Sequence, residues 1–465
     1  MKRLFLIIFI IFISCRPSPL PQKPSVPDEY IVRSAGPNLY VLIPSLDEMI
    51  RIDPINLSYS TILLGSYPIT MDASQDGRFL VVLNSRSSNV SIVETQTSSV
   101  SNIPVRKGAN SISVSRSGKY AIAYLDLTKE GYIPVEGVLN LNEISIIDTD
   151  SKISQPLTLG FDPSIAGFTP SETRAVVLSR SQAAIIDTSP PFRTITVPLV
   201  PEPSQWVTPT RLVITETKAF VSIKESGDIY AIDLVSPSVN IVTVDGAPYC
   251  VELVCNGTYL LVGTEGSSVV SLIDTSDLWI YTVDLVEIYD SAVISRPGGI
   301  SLFYKKGKDK IAVVDNIARI FLTYSLLRGV EGAGIADDEN SAILIHTSGG
   351  IETYLQYSIS IIDFDRRTSH PISLQSMPVD FLIYNPELAF VTLKEAGGVA
   401  VVDMKEKTAS WLKLLPVPEK IGSLSSLDMV YIIHDQPLGR VSFIDTGTMK
   451  VKTTDGIFTN KIYDR

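Results

Sequence analysis

The chain has 465 residues, 45% of them hydrophobic and 19% charged, which is enough apolar material for a large core. Its net charge of −11 at pH 7 argues against nucleic acid or anionic lipid as a main partner. The acidic excess is spread along the sequence, as on a solvated surface.

The N-terminus reads as an export signal. Lys2-Arg3 supplies a positive start and Leu4 to Ile13 an unbroken apolar run, too short to span a bilayer as a permanent helix. The run stops at Phe12-Ile13-Ser14-Cys15, which resembles a bacterial lipobox. That resemblance implies a signal peptide over 1–14 and a Cys15 that carries diacylglycerol and an N-acyl chain such as palmitate. Arg16, where an Asp would signal retention, leans toward the outer membrane. Losing Lys2 and Arg3 would take the net charge to −13. Residues 15–29, with five prolines, read as an extended tether of about 3.1 Å per residue. The remainder, 30–465, reads as one domain.

Residues 68–97 set the pattern of that domain. An extended segment, Pro68 to Ala73, meets a turn at Gln75-Asp76-Gly77. An apolar run, Phe79-Leu80-Val81-Val82-Leu83, follows, and then Val90-Ser91-Ile92-Val93 ending on Glu94-Thr95. Asp-Gly between β-prone runs signals a hairpin. A run that is apolar at every position predicts a strand covered on both faces. The unit recurs, ending in an acid at Asp53, Glu94, Asp148, Asp187, Asp233, Asp274, Asp315, Asp363, Asp403 and Asp445. A period in the low forties with about four strands per period is the mark of propeller blades. Each acid has a local task, to accept backbone N–H groups from the turn that follows. The fold expected is all-β, a β-propeller of about ten four-stranded repeats. The alternatives are seven or eight blades plus extra repeats, or two smaller rings.

Asp76 to Asn84 and Asn89 to Thr95, repeated as Ser117 to Ala123 and Ile146 to Thr149, resemble the YVTN type of β-propeller repeat. The resemblance spans roughly 30–455 and is closest in the second and third repeats. The tetrapeptide that names the family stands here as Val81-Val82-Leu83-Asn84. The resemblance implies a fold and leaves function open, since such propellers range from binding proteins to lactonases.

Farther along, the third repeat carries an insertion, Leu127 to Asn142, and a proline-rich link, Pro198 to Pro209, holds Trp206. Cys250 and Cys255 lie on or at the end of the first strand of the sixth repeat. Strand geometry would point them to opposite faces, roughly 16 Å apart, as buried free thiols. The seventh repeat is the least regular. The eighth carries a second insertion, Thr347 to Tyr357, and the tail segment Ile457-Phe458-Thr459 reads as a strand that could pair with the first blade.

Function must come from the loops. In a propeller, loops between second and third strands share a face with the links between blades. Tyr132, Trp206, Tyr354 and Tyr357 would project on that face, with His346 at its edge, as a ligand-binding surface. The plainer alternative is that they pack the loops onto the ring. Enzyme signatures are missing: His346, His370 and His434 are scattered without spaced partners, and no serine sits in a nucleophile elbow. Asp337-Asp338-Glu339 and Asp363-Phe364-Asp365 lack the features of a calcium loop and read as surface turns. No catalytic residue, metal or cofactor is expected. The reading favoured is a membrane-anchored binding or assembly module for an envelope protein or glycan. The alternative is a lactonase-like hydrolase working in the central channel, where Asp72, Glu252 and Asp380 are the ionisable candidates.

Overall fold

The computed structural model describes residues 30–129, 140–202, 205–347, 356–415, 417–436 and 438–458. The expected signal and tether, Cys15 included, lie outside them. The described chain forms ten four-stranded antiparallel sheets, each built from four strands consecutive in sequence. These blades span 31–63, 68–104, 111–158, 165–198, 209–243, 248–284, 291–325, 330–373, 378–413 and 418–455. Helix among the described residues is limited to single 3-10 turns such as Pro44–Leu46. Blade seven is as regular as the rest, with strands Ser291–Ile294, Ile300–Tyr304, Lys310–Asp315 and Ile320–Ser325.

Period-two side-chain geometry explains why the second strands are apolar throughout. In Phe79–Asn84, Leu80 and Val82 pack against blade one, while Val81 and Leu83 pack against blade three. The same division recurs around the ring, where Val176 and Leu178 face blade five and Ala175 and Val177 face blade three. Each seam between neighbouring blades thereby holds its own apolar cluster. Burying each Val, Leu or Ile is worth about 1.5–3 kcal/mol, and the gain arrives only when both neighbours are in place.

One ring contains all ten blades. Blade ten meets blade one through Leu39, Val41, Ile433, Val441 and Phe443, and no strand is shared across that seam. The tail segment does not form the expected strand. Ile457 and Phe458 instead turn into the seam as plugs, 2% and 5% exposed, with Phe458 6.1 Å from the Tyr30 ring. The Gly456 and Phe458 amides donate to the Gly439 and Leu438 carbonyls, so the tail follows a loop of blade ten and not an edge of blade one. Polar ties cross the same seam: Ser426 Oγ donates to the Gly36 carbonyl at 2.7 Å, and Lys452 Nζ to the Ile55 carbonyl at 2.9 Å.

Cys250 and Cys255 are both free, but only Cys250 is buried. Cys255 has left the strand Pro248–Val254 for a 3-10 turn with φ of +51°, and it packs against the same blade six–seven cluster as Cys250. The turn, which strand geometry alone does not foresee, brings both thiols to one seam.

Candidate binding face

The two ends of the ring are built from different loops. The turns between first and second strands and between third and fourth strands share one face. The links between blades and the loops between second and third strands share the other.

On the turn face the ten acids cap as expected, with two exceptions. Asp53, Asp148, Asp233, Asp274, Asp315, Asp363, Asp403 and Asp445 each accept backbone N–H bonds from the following turn. Glu94 takes the hydroxyls of Thr97 and Ser99, and Asp187 lies 3.9 Å from Arg174. Hydrogen bonds from Thr448 and from its amide hold the Asp445 carboxyl below its ordinary range. Other carboxylates tie one blade to the next. Glu172 accepts from Ser115 and Ser117 of blade three, Glu216 from the Ser171 amide and hydroxyl, and Glu339 from the Gly299 and Ile300 amides. Asp363 takes Lys407 Nζ at 2.6 Å, and Asp337 lies 3.5 Å from Arg296. The turn face is thus spent on the ring itself, and no cluster of metal-ligating side chains occurs among the described residues.

The channel acids are also engaged. Asp72 accepts from the Ala73 amide, Glu252 pairs with Arg211 of blade five, and Asp380 accepts from the Ile421 and Phe381 amides. They belong to blades two, six and nine, and each acts on its own neighbourhood.

The link face has a different character. Among the described residues, seven of the nine links expose a large apolar side chain: Tyr67, Phe161, Trp206, Val286 with Ile288, Leu327, Met377 and Leu415. The turn face exposes four, Ile55, Val235, Trp279 and Ile317. Trp206 is the expected site residue that stands out, 59% exposed. It stacks on Phe161 with ring centroids 6.1 Å apart and 24° between planes. The Arg180 guanidinium carbon lies 5.0 Å from the Trp206 ring centre, and its Nε donates to Asp162 Oδ2 at 2.5 Å. Asp162 is fully buried and also accepts the Leu127 amide at 3.3 Å. The Val207 amide donates to the Arg180 carbonyl at 2.9 Å. The result is a fixed two-ring platform, backed by a neutralised ion pair and open to solvent. Stacked rings on such a support offer a large apolar contact at low entropy cost.

The other expected residues are placed differently. His346 is only 4% exposed and sits beneath the face. Its Nδ1 lies 3.2 Å from the Gly329 carbonyl and its Nε2 2.7 Å from Ser360 Oγ. Burial lowers its pKa. Tyr357 is half-buried against the blade eight–nine cluster. Tyr132 and Tyr354 lie outside the described residues. Phe161, Asp162 and Arg180 were missed from sequence. A register of the links would have found Phe161, which occupies the same kind of link as Trp206, one blade earlier.

A cavity of about 400 Å³ opens at the blade ten–one seam, lined by Tyr30, Glu419, His434, Arg440 and Phe458 among others. Tyr30 donates to Glu419 Oε2 at 3.0 Å, and His434 Nε2 lies 2.8 Å from Ser442 Oγ. Burial and the nearby Arg440 depress the His434 pKa to about 4.

No family model and no curated protein matches this sequence. Solved structures match in shape. A eukaryotic initiation factor is 12% identical, covering 84% of this chain and 97% of its own, with a TM-score of 0.53. The dihydro-heme d1 dehydrogenase NirN is 11% identical over 84% of this chain and 77% of its own, at 0.46. Hydrazine synthase of Kuenenia stuttgartiensis is 13% identical over 77% of this chain and 99% of its own, at 0.36. At 12% identity the likeness to the initiation factor speaks to the fold alone.

Proposed function

We propose that the protein is an extracytoplasmic binding or assembly module, lipid-anchored through Cys15, that presents its link face to an envelope protein or glycan. The Phe161–Trp206 platform carries this reading: it is a rigid, exposed aromatic pair on the face where seven of the nine described links expose a large apolar side chain. The Ile13-Ser14-Cys15 junction supports the anchor, and Arg16 supports the outer membrane as its address. Asp76 to Asn84 supports reading the blades as YVTN-type repeats.

The test is capture from envelope extracts. Replacing both Trp206 and Phe161 by Ala should leave thermal unfolding nearly unchanged, because both rings are solvent-facing, and should strip the captured partner. Retention of every partner by the folded double variant would overturn the assignment of the platform. In the same strains, Cys15→Ser should move the protein from the membrane fraction to the soluble one. An unchanged fractionation would overturn the anchor.

A further inference from the structure

A second feature of the link face lies between blades six and eight. The loop Lys305-Lys306-Gly307-Lys308-Asp309-Lys310 places four lysines against one acid, all exposed. It is fastened to the next link: the Gly307 amide donates to the Val330 carbonyl and the Val330 amide to the Lys308 carbonyl, both at 2.9 Å. Gly329 approaches Gly307 so closely that an added Cβ would fall 2.4 Å from its carbonyl oxygen. On the other side, Lys310 pairs with Glu287 of the blade six–seven link. The three segments form one continuous patch.

Three aliphatic side chains stand out from it, Val286 at 76% exposed, Leu327 at 69% and Ile288 at 50%. Val286 is held at φ of +69°, a conformation that β-branched residues avoid, while its amide is fixed by Asp284 Oδ1 at 2.9 Å. The acids of the patch are largely engaged: Glu287 by Lys310, Asp284 by the Ser268 hydroxyl and the Val286 amide, Asp290 by Ser291 Oγ. Lys305, Lys306 and Lys308 form no ion pair among the described residues.

We propose that this patch rests on an anionic lipid bilayer, its aliphatic side chains entering the interface and its lysines meeting the headgroups. The overall acidity of the chain points the other way, but the relevant charge is local and falls off within a Debye length. A folded protein partner fits less well. Protein interfaces are anchored chiefly by buried aromatic rings and depleted in Lys, whereas this patch offers aliphatics, lysines and Arg328 with no exposed aromatic ring. The inference goes beyond the partner reading above and does not depend on the Phe161–Trp206 platform.

The test uses the full chain with Cys15→Ser and Cys255→Ser. An environment-sensitive dye is placed at Ile288→Cys, or at Ile317→Cys on the opposite face. With phosphatidylglycerol vesicles the dye at 288 should shift to the blue and be quenched by a lipid-borne quencher, while the dye at 317 should not respond. Phosphatidylcholine vesicles or high salt should weaken the response at 288. Combined Lys305→Gln, Lys306→Gln and Lys308→Gln should weaken it by about a hundredfold. A dye at 288 that stays in water, equal responses on the two faces, or equal responses to the two lipids would overturn the proposal. A response to polyglutamate without one to vesicles would overturn it in favour of an acidic protein.

Discussion

Thr95, Thr149, Thr188, Thr275 and Thr446 each follow the acid that ends a third strand, and each hydroxyl donates to a carbonyl of the turn between first and second strands, at 2.6–2.9 Å. Asn316 does the same through Nδ2 to the Gly298 carbonyl at 3.0 Å. The acid was legible in the sequence because capping is local. The threonine was not, because its partner lies sixteen to thirty-one residues away. His434 illustrates the same limit: nothing in its neighbours along the chain announces burial between two blades. Its pH behaviour follows from that burial. The folded imidazole titrates near 4, whereas an unfolded one does so near 6.5. The unfolded chain therefore binds the extra proton first. The stabilising difference is fully present above pH 6.5 and is lost as pH falls toward 4, on the order of 3 kcal/mol in all. Burial lowers the His346 pKa in the same direction. Urea unfolding of the parent should weaken between pH 7 and 4.5, and His434→Gln should flatten that dependence. An identical slope in the variant would show that the imidazole is not the titrating group.

At the scale of the strand, the sequence disclosed most of the fold. Second strands announce themselves by unbroken apolar runs, because alternate residues serve two different seams. The outcome of a charge should therefore depend on which strand receives it. Val81, fully buried in the blade two–three seam, should not tolerate Asp, because an unpaired buried charge costs more than one blade contact returns. Leu63 is 71% exposed on an outer strand, and the same change there should alter stability by less than about 0.5 kcal/mol. Comparing the two variants by thermal unfolding checks this, and equal losses would contradict the seam assignment. What escaped reading at this scale were segments whose form is imposed from outside, such as the Cys255 turn and the Ile457-Phe458 plug. Ile457 and Phe458 are strand-like residues, yet a loop of blade ten sets their place, and the Cys255 turn is tied to the Gly298 carbonyl of blade seven.

For the whole molecule, a repeat count near ten could be read from the acids, but one ring could not be told from two. That choice rests on whether blade ten complements blade one, a match between residues about four hundred positions apart. The seam is closed by side chains alone, and Phe458 is its most exposed-to-loss member, buried against the Tyr30 ring at the very end of the described chain. Phe458→Ala should cost about 3–5 kcal/mol. Hydrogen exchange should quicken first in blades one and ten, and uniform quickening around the ring would contradict a localised joint. No strand crosses that joint, which unites the first and last blades of the described chain. Tyr30 and Phe458 lie with ring centroids 6.1 Å apart, so a short connector between these two positions could join blade ten to blade one, with new termini cut at a link elsewhere. Such a circular permutant would keep all ten seams. The same property makes each blade a movable cassette, gained or lost as one uninterrupted stretch of coding sequence.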